Sequence, residues 1–96
     1  MTDDHMVYIL SNVSRTLYIG MTSDPTRRLY QHREKLQNGF TRQYNITLLV
    51  YFEEFVSRAE AFDRERQLKK WGRNRKIALI ETANPRWLDL SADWDR

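Results

Sequence analysis

Glu65 is the residue whose position most needs a chemical explanation. In a helix advancing about 100° per residue, Ala61, Phe62 and Leu68 lie within about 60° of it, inside an apolar stripe. A lone carboxylate held there is costly. Either it is paired with a cation, Lys69 one turn on or Arg28 from elsewhere, or it holds a metal ion. Glu60 and Asp63 of the same segment point away, so a catalytic metal here is single. Arg28 and His32 stand one turn apart at the edge of a second stripe, formed by Pro25, Leu29 and Leu36. An edge gives each an apolar wall and an open side, which suits phosphate clamping and proton transfer. An ordinary boundary pair shows the same pattern. Tyr8 and Tyr18 lie in two short strand-like segments. If they face each other across the two strands, both rings emerge on one side. Gly20, two residues on, then leaves a gap where a substrate backbone approaches. Tyrosine in a strand also serves packing alone.

Holding these side chains in place requires a scaffold, and the local signals supply one. Met6 to Leu10 and Leu17 to Thr22 read as strands separated by a hairpin-loop composition, Ser11 to Thr16. Asp24-Pro25 reads as an N-cap with proline at the first helical position, and the helix is expected to run to about Gln37 and stop at Asn38-Gly39. Thr47 to Phe52 is a third strand, apolar enough to be buried on both faces. Ser57-Arg58-Ala59-Glu60 matches a capping box opening a helix that ends at Trp71-Gly72. A short helix from about Asn74 to Thr82 follows, and Trp87, Leu90 and Trp94 of the tail pack back onto the body. The predicted order is β-β-α-β-α-α: an α+β fold, a three-stranded antiparallel-type sheet flanked by helices. One domain over residues 1–96 is expected, with its core at about 6–82 and a C-terminal tail at 83–96.

Composition narrows the setting. The 96 residues are 41% hydrophobic and 30% charged, the balance of a folded domain with a thin core. Without cysteine, disulfides and thiolate metal sites are excluded. Leu48 to Phe52, the longest apolar run, is far too short to cross a bilayer, and the acidic start Met1-Thr2-Asp3-Asp4 is unlike a secretory leader. No membrane partner and a cytoplasmic location are expected. The net charge is only +3, but seven of the thirteen residues from Arg64 to Lys76 are basic. Twelve of the sixteen basic residues are arginine, whose planar fork matches phosphate oxygens. Such a run serves either a polyanion or a solvated helix face.

Taken together, Tyr8, Leu17-Tyr18-Ile19-Gly20, Arg28, His32 and Glu65 resemble, in order and spacing, the GIY-YIG nuclease family. Val7-Tyr8-Ile9 is similar to the first family motif, with Met6 where the family has glycine, and Leu17 to Gly20 is similar to the second. Glu65 to Lys69 resembles the metal-binding segment, and Asn84 stands where the family has a distal asparagine. The resemblance runs from Met6 to about Thr82 and implies hydrolysis of DNA phosphodiesters with one divalent ion, Mg2+ or Mn2+. It implies Glu65 as metal ligand, Tyr8 as base, Tyr18 as its orienting partner, Arg28 as phosphate clamp and His32 as orienter or proton relay. The DNA is expected to pass Gly20 and Arg27 and to meet Lys69, Lys70, Arg73, Arg75 and Lys76. Cleavage directed by DNA structure or low in sequence specificity is expected, with a homodimer or a protein partner as the other source of specificity. The alternative is a nucleic-acid-binding module of the same fold without turnover. A free phenol titrates near ~10, so Tyr8 as base is expected to be made more acidic by nearby cationic charge.

Overall fold

The computed structural model describes residues 5–34, 39–92 and 94. Its elements are β1 (His5–Ser11), β2 (Leu17–Thr22), α1 (Pro25–Arg33), α2 (Gly39–Gln43), β3 (Leu48–Phe55), α3 (Arg58–Lys70) and α4 (Arg73–Ala83). The sheet order is β2-β1-β3 with both pairings antiparallel, as the α+β reading required. β1 is central and buried on both faces, so its residues divide by parity. Val7 and Ile9 join Ile19, Val50, Ala61, Leu68 and Ile80 under α3 and α4. Met6, Tyr8 and Leu10 join Leu29, Ile46 and Leu49 on the α1 side.

Local chemistry sets the helix ends. The Asp24 carboxylate accepts from the Arg27 amide and Pro25 takes the first turn, where its missing N–H costs nothing. α1 is described to Arg33; its expected continuation to Gln37 and the stop at Asn38, with the Leu36 position, lie outside the described residues. Ser57 caps α3 by accepting from the Glu60 amide, and Trp71 closes it as expected. α4 runs one residue longer at each end than expected.

Three features depart from the sequence reading. α2 was not foreseen: five residues with one buried side chain, Thr41, offer no periodicity. β3 extends three residues past Phe52 and carries an irregularity opposite Ile9 and Leu10. That extra residue sends both Val50 and Tyr51 to the α3 side. Phe62, placed in the α3 stripe, is 49% exposed and lies instead against the Arg66 guanidinium.

The tail closes the free edge of β3. The Leu90 amide donates to the Leu49 carbonyl, and the buried Asn84 side chain donates to the carbonyls of Val50 and Leu88 while accepting from the Leu88 amide. Asn84 is thus a clamp between tail and sheet. Trp87 packs on the α3–α4 side, and Leu90 and Trp94 on the α1 side, as expected. Among the described residues no helix is long and apolar enough to cross a membrane.

Candidate functional site

The two tyrosines share one face of the sheet but are not cross-strand partners. Tyr8 pairs with Gly20, and Tyr18 pairs with Leu10. The offset is two residues, which preserves the face and corrects the register. It also corrects the role expected of Gly20. A Cβ built there would lie 2.5 Å from the Tyr8 hydroxyl oxygen and 2.6 Å from its Cζ. The gap left by Gly20 is filled by the Tyr8 ring, and no substrate backbone enters it. Both residues are buried, so Gly20→Ala is expected to force the ring aside, at a cost of about 1–3 kcal/mol for overpacking. A melting curve checks this; an unchanged melting temperature would contradict the packing.

Tyr8 is fully buried, with its hydroxyl 3.4 Å from His32 Nε2. The other His32 nitrogen, Nδ1, lies 3.3 Å from the Thr41 hydroxyl. A neutral imidazole has one donor and one acceptor, and two hydroxyls serve both. The open side expected for His32 is therefore absent: the ring is 2% exposed, sealed by Thr41 of the unforeseen α2. Tyr18 tilts against His32 at 5.5 Å and stacks on Phe40 at 6.3 Å.

Burial, helped by the Arg28 charge, lowers the His32 pKa from 6.5 to about 4. A histidine whose folded value is depressed contributes stability fully present above 6.5 and lost as the pH falls toward 4. We expect acidification from pH 7 to 4 to remove up to about 3 kcal/mol through this residue. Thermal melts of wild type and His32→Gln across that range test it; equal acid sensitivity of the two would contradict it.

Tyr8 moves opposite to expectation. Burial pushes its phenol up to about 12; Tyr18 and Glu65 add to the rise, and Arg28 opposes it by charge and hydrogen bonding without prevailing. The expected acidification does not occur, because desolvation outweighs the arginine. Tyr18, Arg28 and Glu65 thus bear on the Tyr8 phenol through their charges, after burial.

Glu65 stands on α3, which packs on the other side of the sheet, and pushes the Tyr8 phenol up by its charge. Its side chain is only 16% exposed and lies 3.1 Å from the Lys69 ammonium, one turn on. Of the sequence alternatives, the Lys69 pair is present in the structure. No three metal-ligating side chains converge among the described residues. A magnesium-type ion here would take one carboxylate from the protein and fill its remaining positions with water and phosphate oxygens. That is how Mg2+ is commonly held. The residues fit a single hard cation displacing a half-exposed lysine.

The basic run does not form one face. Arg64 turns inward, its Nε and Nη2 donating to the two Glu53 carboxylate oxygens at 2.8 and 2.9 Å. Arg75 lies 3.9 Å over the Trp71 ring. Lys69 is committed to Glu65, and Lys70 lines a shallow depression beside Trp71. Arg73 and Lys76 line another, with Arg15 of the β1–β2 loop. Arg27 sits with Arg28 beside Thr22 and Asp24, in a depression of about 390 Å³. Arg58 adjoins Arg28 across a neighbouring depression. Sequence reasoning missed Arg15 and Arg58, because each stands alone in the chain and gains neighbours only on folding.

A family model described as the GIY-YIG catalytic domain matches residues 4–78. A UPF0213 protein of Haloquadratum walsbyi is 37% identical over 81 residues, covering 84% of this chain and 91% of that one. A UPF0213 protein of Clostridium perfringens is 38% identical over 76 residues, covering 79% and 82%. The solution NMR structure of a UPF0213 protein from Bacillus halodurans shares the fold with a TM-score of 0.59 at 27% identity, covering 94% of this chain and 97% of that one. With its catalytic-domain match spanning most of the sequence and its relatives aligned over nearly their whole lengths, this chain belongs to the GIY-YIG family.

Proposed function

We infer that the chain is a divalent-metal-dependent endonuclease that hydrolyses DNA phosphodiesters. The observation that carries this reading is that Arg28, which lines an arginine-rich surface depression, also bears on the buried Tyr8 hydroxyl held by His32. Arg28 faces that depression and offers a planar fork to the scissile phosphate. Tyr8, in its phenolate form, accepts the proton of the attacking water as the new P–O bond forms and the bond to the leaving oxygen breaks, the leaving oxygen taking its proton from solvent. Tyr18 orients the hydroxyl, and His32 holds it by hydrogen bonding. His32 does not store the proton, since its imidazolium is disfavoured above about pH 4. Mg2+ or Mn2+ held by Glu65 supplies Lewis-acid polarisation of the phosphate and positive charge near the phenol. Arg27, Lys69, Lys70, Arg73, Arg75 and Lys76 contact the DNA backbone, and Gly20 serves by admitting the Tyr8 ring.

One observation favours the second reading, a DNA-binding module without turnover. At pH 7 a phenol titrating near 12 is ionised in roughly one molecule in 10⁵. Supercoiled, branched and single-stranded DNA incubated with and without Mg2+ or Mn2+ separates the two. Strand breaks that require the metal support the enzyme. Retained binding without breaks under every condition would establish the module.

A further inference from the structure

The edge strand β2 has a cluster of cations at each of its ends. At Thr22 stand Arg28, Arg27 and Arg58. At Leu17 stand Arg15, Arg73 and Lys76, with the Ser14 and Thr16 chains, around a depression of about 370 Å³. Five residue steps along a strand span about 17 Å. Along α3 the twelve steps from Arg58 to Lys70 give about 18 Å. The two elements are of similar length and pack together, and α3 carries Glu65.

The Leu17 cluster is built, not scattered. Its members come from two segments nearly sixty residues apart, and Arg15 is held where it stands. The backbone of Arg15 is left-handed, at φ 64°. Its guanidinium lies 4.4 Å over the Trp87 ring, whose Nε1 donates to Glu81 at 2.8 Å. Arg15 itself is 4.0 Å from the same carboxylate, too exposed a pair to neutralise it strongly. Converging like charges repel unless an anion joins them, and a side chain already held loses less freedom when it binds one.

We propose that Arg15, Arg73 and Lys76 form a second phosphate-binding site, anchoring the DNA backbone about 17 Å from the Arg28 site. The proposal rests on the nuclease reading. A duplex strand advances about 3.4 Å per phosphate along its axis, so the two sites lie about five base pairs apart. Trp87 is a positioning residue that supports Arg15 from the tail.

The test is anisotropy of a labelled twelve-base-pair duplex in EDTA across a salt series. The proteins are wild type, Arg15→Gln, Arg15→Lys and the surface double variant Arg73→Gln/Lys76→Gln, with Arg86→Gln of the exposed tail as control. Arg15→Gln should weaken binding roughly tenfold and reduce the log–log salt slope by about 0.9. Arg15→Lys should restore most of the slope, which a purely structural role would not predict, and the double variant should lose about twice as much slope. On a single strand of four nucleotides, too short to bridge the two sites, the variants should lose only about twofold, the loss of one of two independent sites. If wild type binds and cleaves DNA while Arg15→Gln and the double variant keep full slope and affinity, the second site is refuted and the nuclease reading stands. If wild type binds no DNA, the nuclease reading itself fails.

Discussion

Glu65→Gln is expected to abolish metal-dependent cleavage while leaving the protein folded and able to bind DNA. The warrant is geometric: among the described residues no group of three metal-ligating side chains exists to hold a metal without Glu65. The variant leaves Lys69 without its partner, but that lysine is 55% exposed and is readily solvated. Stability should therefore change by well under 1 kcal/mol. Isothermal titration with Mg2+ gives a readout independent of turnover, because the weak binding expected of wild type should vanish. Cleavage at the parental rate, or loss of the folded state, would remove Glu65 from the metal site.

Tyr8→Phe is expected to lower the single-turnover rate by roughly 10²–10⁴ with little change in DNA affinity. The substitution keeps the ring that fills the space in front of Gly20 and removes only the hydroxyl facing His32. His32 retains Thr41 as a partner, so the loss is confined to the hydrogen bonds of the Tyr8 hydroxyl with His32 and Arg28, about 1 kcal/mol each. Because the phenol is pushed up to about 12, the wild-type rate should climb with pH across the neutral and alkaline range, without a plateau near neutrality. The climb should vanish in Tyr8→Phe. Tyr18→Phe should cost less, since its role is orientation. A Tyr8→Phe protein with parental rate and pH profile would contradict the assignment of the base.

Local chemistry was legible and long-range pairing was not. Ser57 and Trp71 bracketed α3 correctly because a cap and a helix end are written within a few residues. The sharing of one sheet face by Tyr8 and Tyr18 followed from strand parity. The partner of Tyr8, however, depends on how many residues the hairpin loop consumes, and a left-handed Arg15 inside that loop is not visible in composition. Arg64 looked like one more surface cation because Glu53, which holds it, lies eleven residues away on β3. His32 looked half-open because α2, whose Thr41 closes over it, has too little periodicity to be read. The Tyr8 phenol was expected to fall because Arg28 is visible in the sequence, whereas full burial becomes evident only once β1 lies at the centre of the sheet.

The role of Tyr8, Arg28 and Glu65 in hydrolysis is tested most directly by single-turnover cleavage across a magnesium titration from EDTA upward. Circular dichroism at each point reports whether the fold is constant. The expected result is no cleavage in EDTA, a saturable rise with Mg2+ at unchanged ellipticity, and no such rise in Glu65→Gln. Cleavage in EDTA, or a magnesium-dependent rise of equal size in Glu65→Gln, would contradict it.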